Sequence, residues 1–441
     1  MMRAAGSLSL TALFVSAAIL FVGGGLNAVL IPVRAALEGF TTVQIGLLGT
    51  GAAIGTVVGC MLSPHLIRRV GHIRAFAVLA GGAAVVALTH GLAINPWVWI
   101  LLRIPTGLCF AGLATVIESW LNASSGNAAR GRTMAGYMII QLAMQTFGQL
   151  LLMTADPALL NLFALVALAV TASLIPVGLT RAIVPGPVAD VRLDLGRIHR
   201  QSPSGVIGAV AVGLVNGSFW ALAPLFAADR GLVPGQLALF MSLAVIGGAL
   251  LQYPLGRWSD YLDRRRIILL TAGGAAVAAV GLATLSGFGF GFMLGLVMLL
   301  GAFMFALYPL CVAHVNDHVG EGEFVEASSG LLLLQGLGAV AGPMIAAVIM
   351  DRAGSGGLFY FIAIVYGLLM VFVWTRLQRT PRPPAADRED FVAMPASATA
   401  GLDLDPRSSA LDSGDAGPLD AEPVDDNVVP NDPDVEIDHD R

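Results

Sequence analysis

Twelve apolar runs divide this chain, and they constrain its fold more than any other feature. A helix needs about 20 apolar residues to cross about 30 Å of hydrocarbon. Runs of that length fall at 8–31, 43–64, 74–93, 97–119, 134–154, 158–180, 204–226, 236–256, 267–286, 290–313, 327–350 and 356–376. They lack the period-two alternation of a membrane barrel strand. The expected class is an all-α polytopic membrane protein with 12 transmembrane helices. Composition agrees: 12% of residues are charged, against about 25% in soluble domains. A soluble globular fold, a wholly disordered chain and a disulfide scaffold are excluded. Arg3 precedes the first run as in a secretory leader, but that run belongs to the repeat described below and is read as a span. Cys60, Cys109 and Cys311 sit in apolar runs without metal spacing and read as small core residues.

All 24 basic residues are Arg. With the N-terminus in the cytoplasm, 18 of them between Arg3 and Arg388 lie inside, and only Arg34, Arg230 and Arg352 lie outside. The positive-inside rule therefore places both termini in the cytoplasm, with the protein in an inner or plasma membrane. Trp97 and Trp99 then mark the outer interface, and Trp120, Trp258 and Trp374 the inner one. Residues 377–441 carry 16 acids against five Arg and read as an acidic disordered C-terminal tail.

The chain is internally duplicated. At an offset of 192 residues Pro32 meets Pro224, Gly39 meets Gly231, Gln44 meets Gln236 and Gly55 meets Gly247. Beyond span 3 the offset becomes 194, pairing Gly107 with Gly301, Asn122 with Asn316, Gln141 with Gln335 and Gly148 with Gly342. Six is even, so the copies run parallel about an axis along the membrane normal. The expected layout is an N-terminal bundle over 1–180, a cytoplasmic linker over 181–203 and a C-terminal bundle over 204–376. Two such halves suit alternating access, one rocking against the other.

The loop after span 8 reads Gly256-Arg-Trp-Ser-Asp260-Tyr-Leu-Asp263-Arg264-Arg265-Arg266. The loop after span 2 is a degenerate copy, with Pro64, Arg68, Arg69, Gly71 and Arg74, and Arg68 stands where the Asp belongs. Span 4 carries Arg103-Ile-Pro-Thr-Gly107 and Glu118-Ser-Trp-Leu-Asn122. Together these resemble the major facilitator superfamily (MFS), in its YcaD-like branch, over residues 8 to 376. Tyr261 and Asp263 depart from the superfamily's Arg and Gly. The resemblance implies a secondary active transporter, a symporter or antiporter moving a small solute, with a proton as coupling partner. It implies gating roles for Asp260, Gly256, Arg264, Arg265, Arg68 and Arg69. The alternative for these charges is a topogenic cluster. As a gate, Asp260 would face Arg130 and Arg132 of span 5. A Gly-Pro element in span 5 marks the drug–proton antiporters of the superfamily, and here Gly148-Gln149 stands instead.

Arg103 is the one basic residue well inside a span, and an intramembrane charge needs a cavity or a partner. It is a candidate for substrate binding or coupling; the alternative is a bond to a neighbouring helix carbonyl. Asn27 and Trp220 lie at similar depth, and the resemblance places spans 1, 4 and 7 around the cavity. Gln141, Gln145 and Gln149 are four apart and form one polar stripe. With Asn216 and Tyr308, they read either as ligands or as interhelical bonds. Glu118 ends the hydropathy-defined span 4 as a protonatable group or an interfacial charge. Gly51, Gly55 and Gly59 would let span 2 pack closely on a neighbour. His314, Asn316, Asp317, His318, Glu321 and Glu323 read as a solvated turn, not a metal site. No nucleotide loop, catalytic triad or carboxylate pair appears, so no enzyme activity, cofactor or metal is expected. The expected partners are a small-molecule substrate, a proton and the lipid bilayer, with no nucleic acid, and the protein is expected to be a monomer. A non-transporting sensor or scaffold keeping this fold is the competing class; within transport, uptake and efflux stay open.

Overall fold

The computed structural model describes residues 2–124, 127–179, 195–319 and 324–379. Its elements are helical, with no strand among the described residues. The first half holds α1 (Met2–Leu37), α2 (Thr42–Val70), α3 (His72–Leu92), α4 (Pro96–Ser124), α5 (Asn127–Leu150), α6 (Asn161–Ala172) and α7 (Leu174–Gly178). A short helix, α8 (Leu195–Gln201), leads to the second. There follow α9 (Pro203–Asp229), α10 (Pro234–Tyr261), α11 (Arg264–Leu285), α12 (Phe290–Asn316), α13 (Phe324–Ala353) and α14 (Gly357–Arg379). The sixth span is thus two pieces, stepping at Ser173, whose hydroxyl donates to the Val170 carbonyl at 2.6 Å.

The helices overrun the apolar runs because hydropathy marks only the stretch in hydrocarbon, whereas backbone bonding continues to the next cap or turn. Eleven spans are long and apolar enough to cross a membrane. The fifth helix is not among them, since Gln141, Gln145, Gln149, Arg132 and Thr133 lower its hydropathy. It is shielded instead, packing on α1 in its own half and α10 in the other.

The duplication is visible in the packing. An added Cβ on Gly55 would collide with the Ile104 carbonyl, and one on Gly247 with the Met298 carbonyl. Gly107 meets Ala52 and Gly301 meets Ala244; Gly148 meets Val22 and Gly342 meets Leu214; Gly25 meets Gln145 and Gly217 meets Ala339. Each pair maps onto its counterpart at the sequence offsets of 192 and 194. Gly51, Gly55 and Gly59 face the carbonyls of Ile100, Ile104 and Leu108, so the expected close packing is α2 on α4, turn by turn. Turn chemistry repeats too. Gly39 (φ 73°) and Gly231 (φ 77°) both occupy the left-handed region before α2 and α10. Thr41 and Gln44 then cap α2 reciprocally, whereas at α10 Gln236 accepts from the Val233 amide and Val233 has no side-chain acceptor to return.

The halves meet along α2 with α13 and α5 with α10. Span 2 corresponds to span 8 and span 5 to span 11, so these two seams are the same contact related by the repeat. Two of the belt tryptophans are corrected by the structure. Trp97, Trp258 and Trp374 are exposed as lipid-facing rings should be, but Trp99 and Trp120 are buried. Trp99 donates to the Ala93 carbonyl at 2.7 Å and packs edge-on to Phe40, His90 and Phe163. Depth along a span and direction around the helix are independent, and the belt argument speaks only to depth.

If backbone contact at these glycines holds the bundles, Gly107→Ala should lower the unfolding temperature in detergent, by an overpacking cost of about 1–3 kcal/mol. Gly81→Ala, whose Cβ would meet nothing within 4 Å, should leave it unchanged.

Candidate functional site

The polar side chains of the interior are few. Among the described residues, Arg103 and Glu118 are the only acidic or basic groups more than five residues from the end of a spanning helix. Arg103 donates through Nε to the Leu48 carbonyl of α2 at 3.3 Å and lies close enough to His90 of α3 for their charges to interact. Its guanidinium therefore sits among α2, α3 and α4. Glu118 is buried, and the Tyr137 hydroxyl donates to it at 3.1 Å. Because α4 runs on to Ser124, Glu118 lies inside the helix and not at its end.

The glutamine stripe of α5 faces the seam. Gln149 accepts from the Ser242 hydroxyl of α10 at 3.3 Å, while its Nε2 has no partner. Gln141 and its repeat counterpart Gln335 are both buried with Oε1 unpartnered. Asn27 and Tyr308 are buried, and Gln145 is partly exposed. Asn216 stands out. It is 6% exposed, and both ends of its amide lack a partner. Each unsatisfied buried polar atom costs roughly 1–3 kcal/mol. One turn on, Trp220 lies 5.9 Å from Phe305 of α12 and 6.0 Å from Phe219, centroid to centroid. Sequence reasoning had Trp220 and missed Phe305, because nothing in an apolar run singles out one Phe.

One side of α9 is only partly covered along its length. Pro203, Ile207, Val210, Leu214, Gly217, Leu225 and Ala228 are partly exposed, at helical spacing. Between them Ala221 is buried, and a Cβ on Gly49 of α2 would collide with it. Other contacts between halves are Gly46 against Pro343 and Ala347, Thr50 donating to the Val340 carbonyl at 2.9 Å, Gly235 beside Met153 and, further toward the Arg-rich end, Gly336 against Val57.

At that Arg-rich end the second half carries a charge cluster. Arg264 pairs with Asp317 at 2.7 Å and with Asp260 at 3.5 Å. Asp263 caps α11 by accepting from the Arg265 amide at 3.0 Å and pairs with the Arg265 guanidinium at 2.8 Å. Gly256 is buried just before the loop, and the Gly256 carbonyl accepts from Ser259. The turn after α12 is therefore not solvated as expected: Asp317 and His314 are buried against the start of α11, because Arg264 draws the turn in. Among the described residues no group of three or more His, Cys, Asp or Glu could hold a metal. In the first half the repeat position of Arg264 is His72, which lies 3.3 Å from the Ser119 hydroxyl and meets the Trp120 ring at 5.5 Å with the planes tilted by 52°, a contact that uses no acidic partner. Arg68 and Arg69 end α2. The side chain of Arg130 lies outside the described residues, as do Glu321, Glu323 and the tail from residue 380 onward. Arg132 is exposed.

A model described as the Major Facilitator Superfamily matches residues 205–413. The MFS-type transporter YcaD of Escherichia fergusonii is 28% identical over 358 residues, 81% of this chain and 92% of that one. The YcaD protein of Salmonella typhimurium is 28% identical over 360 residues, with the same coverage. The chain is similar to the major facilitator superfamily over its second half and to these transporters over most of its length. Solved transporter structures share its fold. A nucleoside transporter NupG variant superposes with a TM-score of 0.73 at 10% identity, covering 83% of this chain and 99% of that one. A D-xylose-proton symporter does so at 0.65 and 14% identity, covering 86% and 97%. With 11 candidate spans among the described residues, the protein is a multi-pass membrane protein whose fold these transporters share.

The Asp263 cap makes a pH prediction. Burial alone would raise its carboxyl pKa, but the bonds from Arg265 outweigh burial and hold it below the usual value. A depressed folded pKa adds stability above the unfolded value of about 3.9, and that stability is lost as pH falls through the folded value. The unfolding temperature should drop over that acid window, and Asp263→Asn should flatten the drop.

Proposed function

We propose that the protein is a secondary transporter that moves a small solute by alternating access, its two halves at 1–180 and 204–376 rocking about the α2–α13 and α5–α10 seams. The observation that carries this is the repeat itself: two interlocked halves that meet along two repeat-related seams, α2 with α13 and α5 with α10, built from small residues and few hydrogen bonds. The Arg excess puts the protein in an inner or plasma membrane with both termini inside. Asp260, Gly256, Arg264 and Arg265 hold the cytoplasmic end of the second half in shape and provide its gate, with Arg68 and Arg69 as the weaker copy. Glu118, buried and hydrogen-bonded by Tyr137, is the proposed proton carrier, since a carboxyl away from water can switch between charged and neutral forms as its surroundings move. The relatives' transporter names and the symporter among the structural neighbours support this reading.

Two experiments test it. The Cβ built on Gly235 would lie 3.8 Å from the Met153 Cβ, the mean separation in a disulfide, about 3.8 Å. Met153→Cys/Gly235→Cys, made with the three native cysteines replaced, should lose transport in proteoliposomes on oxidation and regain it on reduction. Transport that continues through the oxidised protein would refute alternating access at this seam. Glu118→Gln should abolish pH-driven accumulation while solute exchange continues; loss of neither would remove Glu118 from coupling.

A further inference from the structure

We propose that the second half carries the solute-binding determinant, centred on Asn216, Trp220 and Phe305, and that it takes an uncharged, ring-bearing solute with hydrogen-bonding groups on its edge. This rests on the transporter reading above.

The repeat supplies the comparison. A residue needed only to pack a bundle should be needed in both copies. Asn216, Trp220 and Phe305 correspond to Gly24, Ala28 and Ala111 at the repeat offsets. The backbone contacts around them are kept in both halves: Gly25 on Gln145 and Gly217 on Ala339 flank the two positions. The scaffold is therefore duplicated, and the amide and the aromatic pair were placed on one copy only. Their state fits a ligand role. Asn216 is buried with neither amide atom partnered, an arrangement that helix-to-helix bonding would not leave. Trp220 is partly exposed even though α9 packs against α1, α2, α10, α12, α13 and α14. The indole and the Phe305 ring are tilted by 37° at 5.9 Å and offer an apolar wall beside the amide.

Charge sets the class. Arg103 is bonded to the Leu48 carbonyl among α2, α3 and α4 and Glu118 to Tyr137, both in the first half. Asn216, Trp220 and Phe305 offer an amide and aromatic rings, and an ion would find no full counter-charge among them in a low-dielectric interior. A neutral solute asks for what is there: an amide that both donates and accepts, and a ring face for stacking. Nucleosides and cyclic sugars share this chemistry, and the experiment separates them.

Purified protein in lipid nanodiscs would be screened by thermal shift against four arms: nucleosides (uridine, adenosine), sugars (xylose, glucose), carboxylates (succinate, glutamate) and a quaternary ammonium ion (tetraethylammonium). A ligand that binds the folded state raises the unfolding temperature. One of the first two arms should do so, and that compound should exchange across proteoliposomes. Asn216→Leu should weaken its Kd at least tenfold without lowering the unliganded unfolding temperature, since it removes an unpartnered amide. Trp220→Leu should weaken it similarly, and Gly24→Ala at the repeat position should change it less than twofold. Stabilisation and transport by the charged arms alone would overturn the neutral class and leave the transporter reading standing. Unchanged affinity in Asn216→Leu would overturn the placement in the second half. Absence of both binding and exchange in every arm would overturn this proposal and count against transport.

Discussion

The close approach of helix backbones at glycine is the contact on which the rest of this protein depends. In lipid there is no hydrophobic gain from bringing two apolar helices together, so association relies on van der Waals fit and on polar contacts. Glycine lets the backbones of α1 and α5, α2 and α4, α9 and α13, and α10 and α12 approach until a Cβ would strike the opposite carbonyl. Those four interfaces are two interfaces made twice. They make each half stiff, as the proposed rocking of one half against the other requires.

The seam is built differently. It is held by small residues, two hydrogen bonds from Thr50 and Ser242, and packing such as Met153 beside Gly235. Such contacts are individually weak and can be exchanged for others, whereas a backbone interlock cannot be left by small steps. The charged groups are kept out of it. Arg264 and Arg265 spend their charge on Asp317, Asp260 and Asp263 inside the second half, and in the first half His72 and Trp120 fill the equivalent space without an acid. The degenerate loop signature after span 2 thus has a structural counterpart: where the Asp is lost, a tilted contact between the His72 and Trp120 rings stands in place of the ion pair.

Asymmetry between the copies is as informative as symmetry. The paired glycines, the left-handed turn residues and the glutamines at 141 and 335 describe the scaffold. The departures, Asn216 for Gly24 and Trp220 for Ala28, mark where one half does something the other does not. Much of the site was legible in this way. Asn216, Trp220, Glu118 and the α5 stripe could be named from residue type and depth. Phe305 could not, since one Phe among apolar neighbours carries no mark. The carbonyl partner of Arg103 was one of two readings from the chain alone, and the bond from its Nε to Leu48 was settled by the packing of α4 on α2.

What the sequence alone determined is the class: the number of spans, the duplication with its offsets, and the Arg asymmetry between the two sides. These depend on length, hydropathy and order, which are properties of the chain read in one dimension. The tertiary structure decided direction around each helix. In a membrane both the lipid-facing and the core-facing sides of a helix are apolar, so periodicity separates them poorly. That is why Trp99 and Trp120 could be placed at the right depth and on the wrong side, and why the turn at Asp317 looked solvated. Only the neighbouring helices say which side of a residue is covered, and at Asn216 they leave it buried with nothing to bind.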